Sequence, residues 1–83
     1  MPKFYLKLSQ INRDLKSEGL PQVSKQQAMF MMNKTPARCK NPLIDGEHYQ
    51  EEKRGKYSVY FYSDDGVRFL FQWAIAKKQK ERQ

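Results

Sequence analysis

The chain has 83 residues, enough for one small domain with a modest core and little apolar surface left to enclose an active-site cavity. Its 39% apolar and 13% aromatic content argues for a folded, soluble chain, and no apolar run approaches the length that spans a bilayer. Sixteen Lys and Arg against nine Asp and Glu give a net charge of +7, which suits a polyanionic partner.

Cys39 is the only cysteine, so no internal disulfide forms, and with the only histidine, His48, it cannot furnish the four ligands of a structural zinc. We expect no metal, no cofactor and no membrane partner. The opening Met1-Pro2-Lys3-Phe4 carries no long apolar segment ending at a small-residue cleavage site. The expected location is therefore cytoplasmic.

The first segment places Leu8, Ile11 and Leu15 at helical spacing before a stop at Gly19-Leu20-Pro21, which predicts a helix from about Ser9 to Glu18. Residues Lys3 to Leu8 fit either an extension of it or a short strand, because Phe4, Leu6 and Leu8 alternate. A second helix starts at Ser24, which can cap the amide of Gln27, and Val23 can pack on Ala28. Ala28, Met31 and Met32 share its inner face, with Phe30 on the flank, and the helix ends near Asn33, a residue that tolerates the left-handed conformation. Thr35 as a cap and Pro36 in a first turn predict a third, short helix to about Asn41.

After Pro42, Asp45-Gly46 marks a turn into a hairpin whose strands include Tyr49 and Tyr57 to Tyr62, joined by a loop from Glu52 to Lys56 with Gly55 near its tip. The last segment alternates at Val67, Phe69, Phe71, Trp73 and Ile75 as a strand would. Ser63 as a cap, Asp64 and Asp65 behind it and Lys77 and Lys78 at the far end favour a helix instead. That helix turns Val67, Leu70, Phe71 and Ala74 to the core, sets Asp65, Arg68, Gln72 and Gln79 in a polar stripe, and leaves Phe69 and Trp73 at the edge of the buried face as possible partner contacts.

Two helices joined by a short, steep corner form a helix-turn-helix, whose second helix enters a major groove. Thr35, Ala37, Arg38, Lys40 and Asn41 are the candidates for its outer face. Arg38 can bond guanine through two donors, Asn41 can pair with adenine and Ala37 can touch a thymine methyl, while Lys34 and Thr35 suit phosphates. Cys39 is expected on the inner face. Lys53, Arg54 and Lys56 at the hairpin tip have the chemistry of a wing, with Arg54 suited to a minor groove and the lysines to phosphates. His48 has no serine or cysteine pattern around it that suggests a triad, and the chain is not expected to be an enzyme.

From Val23 to about Ile75, the order of capped helix, corner, short helix, "LIDGEHY", basic hairpin and "YSVYFYSDDGVRFLFQWA" resembles the MerR-like winged helix-turn-helix proteins that include phage excisionases and small phage regulators. Asn33 stands where that family often has glycine, and Pro42 makes the recognition helix short. The resemblance implies an α+β fold with the helix-turn-helix over 23–41, the wing over 46–62 and a C-terminal helix, with a basic tail, over 63–83, while the N-terminal extension over residues 1–22 adds a helix that the smallest members lack. It also implies double-stranded DNA as partner and a role on a mobile element as an architectural factor or transcriptional regulator. So small a module makes few contacts, which calls for self-association or cooperative binding on DNA. Two other classes compete: a protein-binding inhibitor or adaptor using the aromatic surface around Phe4, Tyr5, Phe69 and Trp73, and an RNA-binding module using Tyr57, Tyr60 and Tyr62 as a stacking platform.

Overall fold

A computed structural model of the chain describes residues 3–81. Those residues form α1 (Leu8–Ser17), α2 (Lys25–Met31), β1 (Tyr49–Arg54), β2 (Tyr57–Tyr62) and α3 (Asp64–Glu81), a small α+β arrangement. No helix among them is long and apolar enough to cross a membrane.

Helix α1 buries Ile11 and Leu15 from one face, as their spacing predicts. Its end is a Schellman turn: Gly19 takes φ 70°, its amide donates to Lys16, and the Leu20 amide donates to Leu15 at 2.9 Å. The preceding residues are extended, with Tyr62 donating to the Leu6 carbonyl at 2.7 Å, so the alternating pattern, not a helical extension, governs Lys3 to Lys7. Asn12 then clamps the chain entering α2. Its amide group donates to the Val23 carbonyl and its oxygen accepts the Val23 amide, both at 2.7 Å, which holds Val23 fully buried.

Ser24 caps α2 by accepting the Gln27 amide at 3.0 Å, and Ala28 and Met31 face the core. The helix stops at Met31, with Asn33 in the left-handed region at φ 58°. Here the structure departs from expectation. Residues 34–44 are irregular, and the short helix from Pro36 to Asn41 does not form. Asn33 Oδ1 accepts the Cys39 amide at 2.9 Å, taking a donor that a helix from Pro36 would need. The Thr35 hydroxyl donates to the Ala37 carbonyl at 3.3 Å instead of capping, and Leu43 donates to Met31 at 2.8 Å, folding the segment back across the end of α2. Five residues between two prolines offer too few backbone bonds to repay helix nucleation.

Strands β1 and β2 pair antiparallel from Tyr49↔Tyr62 to Arg54↔Tyr57, so the connection is only Gly55-Lys56 and the strands run through most of the expected loop. Gly55 at φ 61° supplies the positive angle that a two-residue hairpin turn needs at its first position. One face of the ribbon carries Tyr49, Glu51 and Lys53 beside Tyr62, Tyr60 and Ser58; the other carries Gln50, Glu52 and Arg54 beside Phe61, Val59 and Tyr57.

Ser63, itself buried, opens α3. Its hydroxyl accepts the Gly66 amide at 3.2 Å and donates to the Glu47 carbonyl at 2.6 Å, while its own amide donates to His48 at 3.0 Å. Gly66 is the point of closest approach, since any side chain there would collide with the His48 carbonyl. Leu70 and Ala74 are fully buried, Val67 and Phe71 half-buried, and Asp65, Arg68, Gln72 and Gln79 exposed, so the helical reading of 67–75 holds over the strand. Lys78 reaches the Gly19 carbonyl at 2.8 Å and ties the far end of α3 to the end of α1. Arg82, expected to add to a basic tail, lies outside the described residues.

Candidate nucleic-acid interface

The hairpin end is an exposed basic feature. Glu52 to Tyr57 are exposed on both faces of the ribbon, so Lys53, Arg54 and Lys56 stand clear of the core. Arg54 pairs with Glu52 at 3.4 Å in an open setting, a contact worth about 0–1 kcal/mol that a phosphate can displace. Among the described residues no carboxylate pairs with Lys53 or Lys56.

Lys34 is differently placed. Its ammonium lies 3.1 Å from Glu51 and about 6 Å from the rings of Tyr49 and Tyr60, where it fastens the start of the irregular segment to β1. Glu51 also accepts the Ser58 hydroxyl at 2.6 Å. That bond, and then Lys34, hold its carboxyl below the ordinary carboxylate range, while the bond to Glu51 holds Lys34 above the ordinary lysine value against partial desolvation. Burial pushes the Tyr62 hydroxyl well up, and Tyr49 less so. Lys34 is thus engaged within the fold through Glu51.

The other expected contacts of the segment lie in a loop, not on one helix face. Ala37, Arg38, Lys40 and Asn41 are exposed and Thr35 is half-buried. Arg38 and Lys40 have no acidic partner among the described residues. Cys39 is half-buried, with its thiol 3.7 Å from the Asn41 carbonyl. His48 packs at the base of the hairpin, its ring 5.3 Å from that of Phe69 and its Nδ1 accepting the Ile44 amide at 2.8 Å. No group of three His, Cys, Asp or Glu among the described residues is arranged to hold a metal. The three tyrosines do not share an exposed face: Tyr57 is exposed, Tyr60 half-buried beneath Lys34 and Tyr62 buried.

Phe69 and Trp73 are half-buried at the edge of the core and border an open cleft of about 440 Å³ between α2, the irregular segment and α3. Phe30, Gln27 and Gln72 complete its walls, with Lys40 and Asn41 at its rim. Phe30 on the flank of α2 and Trp73 off the core face of α3 are the sequence signals for this cleft, but their meeting depends on the path of residues 34–44.

Comparison with family models, with curated proteins and with solved structures finds no match to this chain.

Proposed function

We propose that this protein binds double-stranded DNA, with the β-hairpin as the element that enters a groove and the 34–41 loop as its flanking support. The observation that carries the reading is the exposed end of the ribbon, where a two-residue turn brings Lys53, Arg54 and Lys56 together away from the core. A major groove admits a two-stranded ribbon as well as a helix, so the absence of a helix over 36–41 moves the task from one element to the other. Arg38, Lys40 and Asn41 then meet backbone or base edges from a loop, and Thr35 and Ala37 shape that loop. The winged helix-turn-helix resemblance supports a part in a mobile element, as an architectural factor or a transcriptional regulator acting through self-association or cooperative occupancy.

The test is a salt-dependent titration of duplex DNA with the wild-type protein and with Lys53→Ala/Arg54→Ala/Lys56→Ala combined. Loss of the two lysine–phosphate contacts lowers the slope of log K against log salt by about 1.8. An unchanged slope and affinity would refute the assignment.

A further inference from the structure

The cleft beside Trp73 joins three kinds of group in one small space. Phe30, Phe69 and Trp73 supply aromatic surface, Gln27, Asn41 and Gln72 supply amides with both donors and acceptors, and Lys40 supplies positive charge. On the other side of Trp73, Lys77, Gln79 and Lys80 line a second depression, with the Lys77 ammonium 5.1 Å from the indole ring. Neither depression has a carboxylate in its wall. The surface therefore selects for an anion, and its apolar floor selects for one that carries a flat, uncharged body.

At about 440 Å³ the cleft matches a small planar group and not a folded partner, which needs about 800 Å² of surface on each side. A phosphodiester strand meets all three requirements, because its bases stack on aromatic rings, their edges bond amides, and its phosphates pair with lysine. We propose that this cleft binds an unpaired nucleotide of a single strand. Its base stacks on Trp73, Gln27, Asn41 and Gln72 contact its edge, and Lys40, Lys77 and Lys80 hold the flanking phosphates. The inference rests on the reading of the protein as a nucleic-acid binder; it uses a surface separate from the hairpin tip and shares Lys40 and Asn41 with the 34–41 loop.

Trp73 is the chain's only tryptophan, so its fluorescence reports this site directly. The wild-type protein is titrated with fluorescein-labelled oligothymidylate and oligouridylate of about eight nucleotides, one site size for a small module, and separately with heparin. Anisotropy reports binding and Trp73 emission reports stacking. The expected result is strong quenching by one or both oligonucleotides at saturation and little by heparin, the two oligonucleotide arms deciding between DNA and RNA. Trp73→Ala is expected to weaken oligonucleotide binding about tenfold, within the range for loss of one stacked base. Because Trp73 also packs on the core, Lys40→Ala/Gln72→Ala, both at exposed positions, is run beside it with the same expected direction. The combined tip variant keeps the quench while losing duplex affinity. Oligonucleotide binding without quenching, or equal quenching by heparin, overturns the cleft assignment and leaves the duplex reading standing. Absence of binding to duplex and single strands alike overturns both.

Discussion

Gly66→Ala sets a local preference directly against a tertiary contact. Gly66 lies in the first turn of an 18-residue helix, where alanine is preferred over glycine by at most about 1 kcal/mol. By propensity alone the substitution stabilises. In the fold, a methyl group at this position would overlap the His48 carbonyl oxygen and lie 3.0 Å from the carbonyl carbon. Carbon atoms rest at about 3.5–4.0 Å, so the start of α3 has to retreat by a large fraction of an ångström. That retreat stretches the bonds by which Ser63 joins Gly66, Glu47 and His48, and it draws Leu70 from its buried position. Overpacking costs about 1–3 kcal/mol and a weakened cap about 1 kcal/mol, leaving a net loss of about 2 kcal/mol after the propensity gain. In a domain of this size that lowers Tm by about 8–16 °C, which circular dichroism melts of the two proteins would measure. An equal or higher Tm for Gly66→Ala would show that α3 does not dock on the 47–48 backbone, and the reasoning would be wrong.

The Asn33 corner combines a left-handed backbone with a side-chain bond to Cys39, and the two contributions separate. Asn33→Gly keeps the angle and loses the bond, costing about 1 kcal/mol by chemical denaturation, whereas Asn33→Ala loses both and costs about 2 kcal/mol. Glu51 contributes stability that is fully present above the ordinary carboxylate range and is lost as pH falls through its lowered value. Glu51→Gln should therefore flatten the acid limb of stability against pH, and an unchanged limb would contradict the Lys34–Glu51–Ser58 cluster. The buried Tyr62 and Tyr49 hydroxyls titrate above the ordinary tyrosine value when folded, so their contribution holds below that value and fades as pH rises. Ultraviolet titration should show Tyr62 and Tyr49 ionising above the ordinary tyrosine value, Tyr62 the further of the two; all five ionising together at that value while the fold persists would refute their burial.

Features set by residues a few positions apart were legible in the sequence. Ser24 and Ser63 cap α2 and α3, Gly19 ends α1, Asn33 takes the left-handed turn, and Tyr57 to Tyr62 form a strand. Features set by distant partners were not. The Asn12 clamp joins residues eleven apart, Leu6 finds the end of β2, and Gly66 meets His48. The segment after Asn33 carried sound local helix signals at Thr35 and Pro36, yet the Asn33 side chain captures the Cys39 amide a helix would use, and the Leu43–Met31 bond folds the segment back across the end of α2. The same capture scatters Ala37, Arg38, Lys40 and Asn41 over a loop and closes the cleft that Phe30 shares with Trp73. Basic composition and the hairpin tip were readable as candidates for a polyanion surface, because exposed lysine and arginine depend little on the rest of the fold.

The most direct measurement of the central claim is a backbone amide chemical-shift map of the isotopically labelled protein as duplex DNA of about one helical turn is added. The largest shifts are expected at Lys53, Arg54, Gly55 and Lys56, with a second group at Arg38 to Asn41, while Arg13 and Lys16, exposed on α1, stay near their free positions. Shifts centred on α1, or none at the hairpin tip under conditions of saturated binding, would contradict that claim.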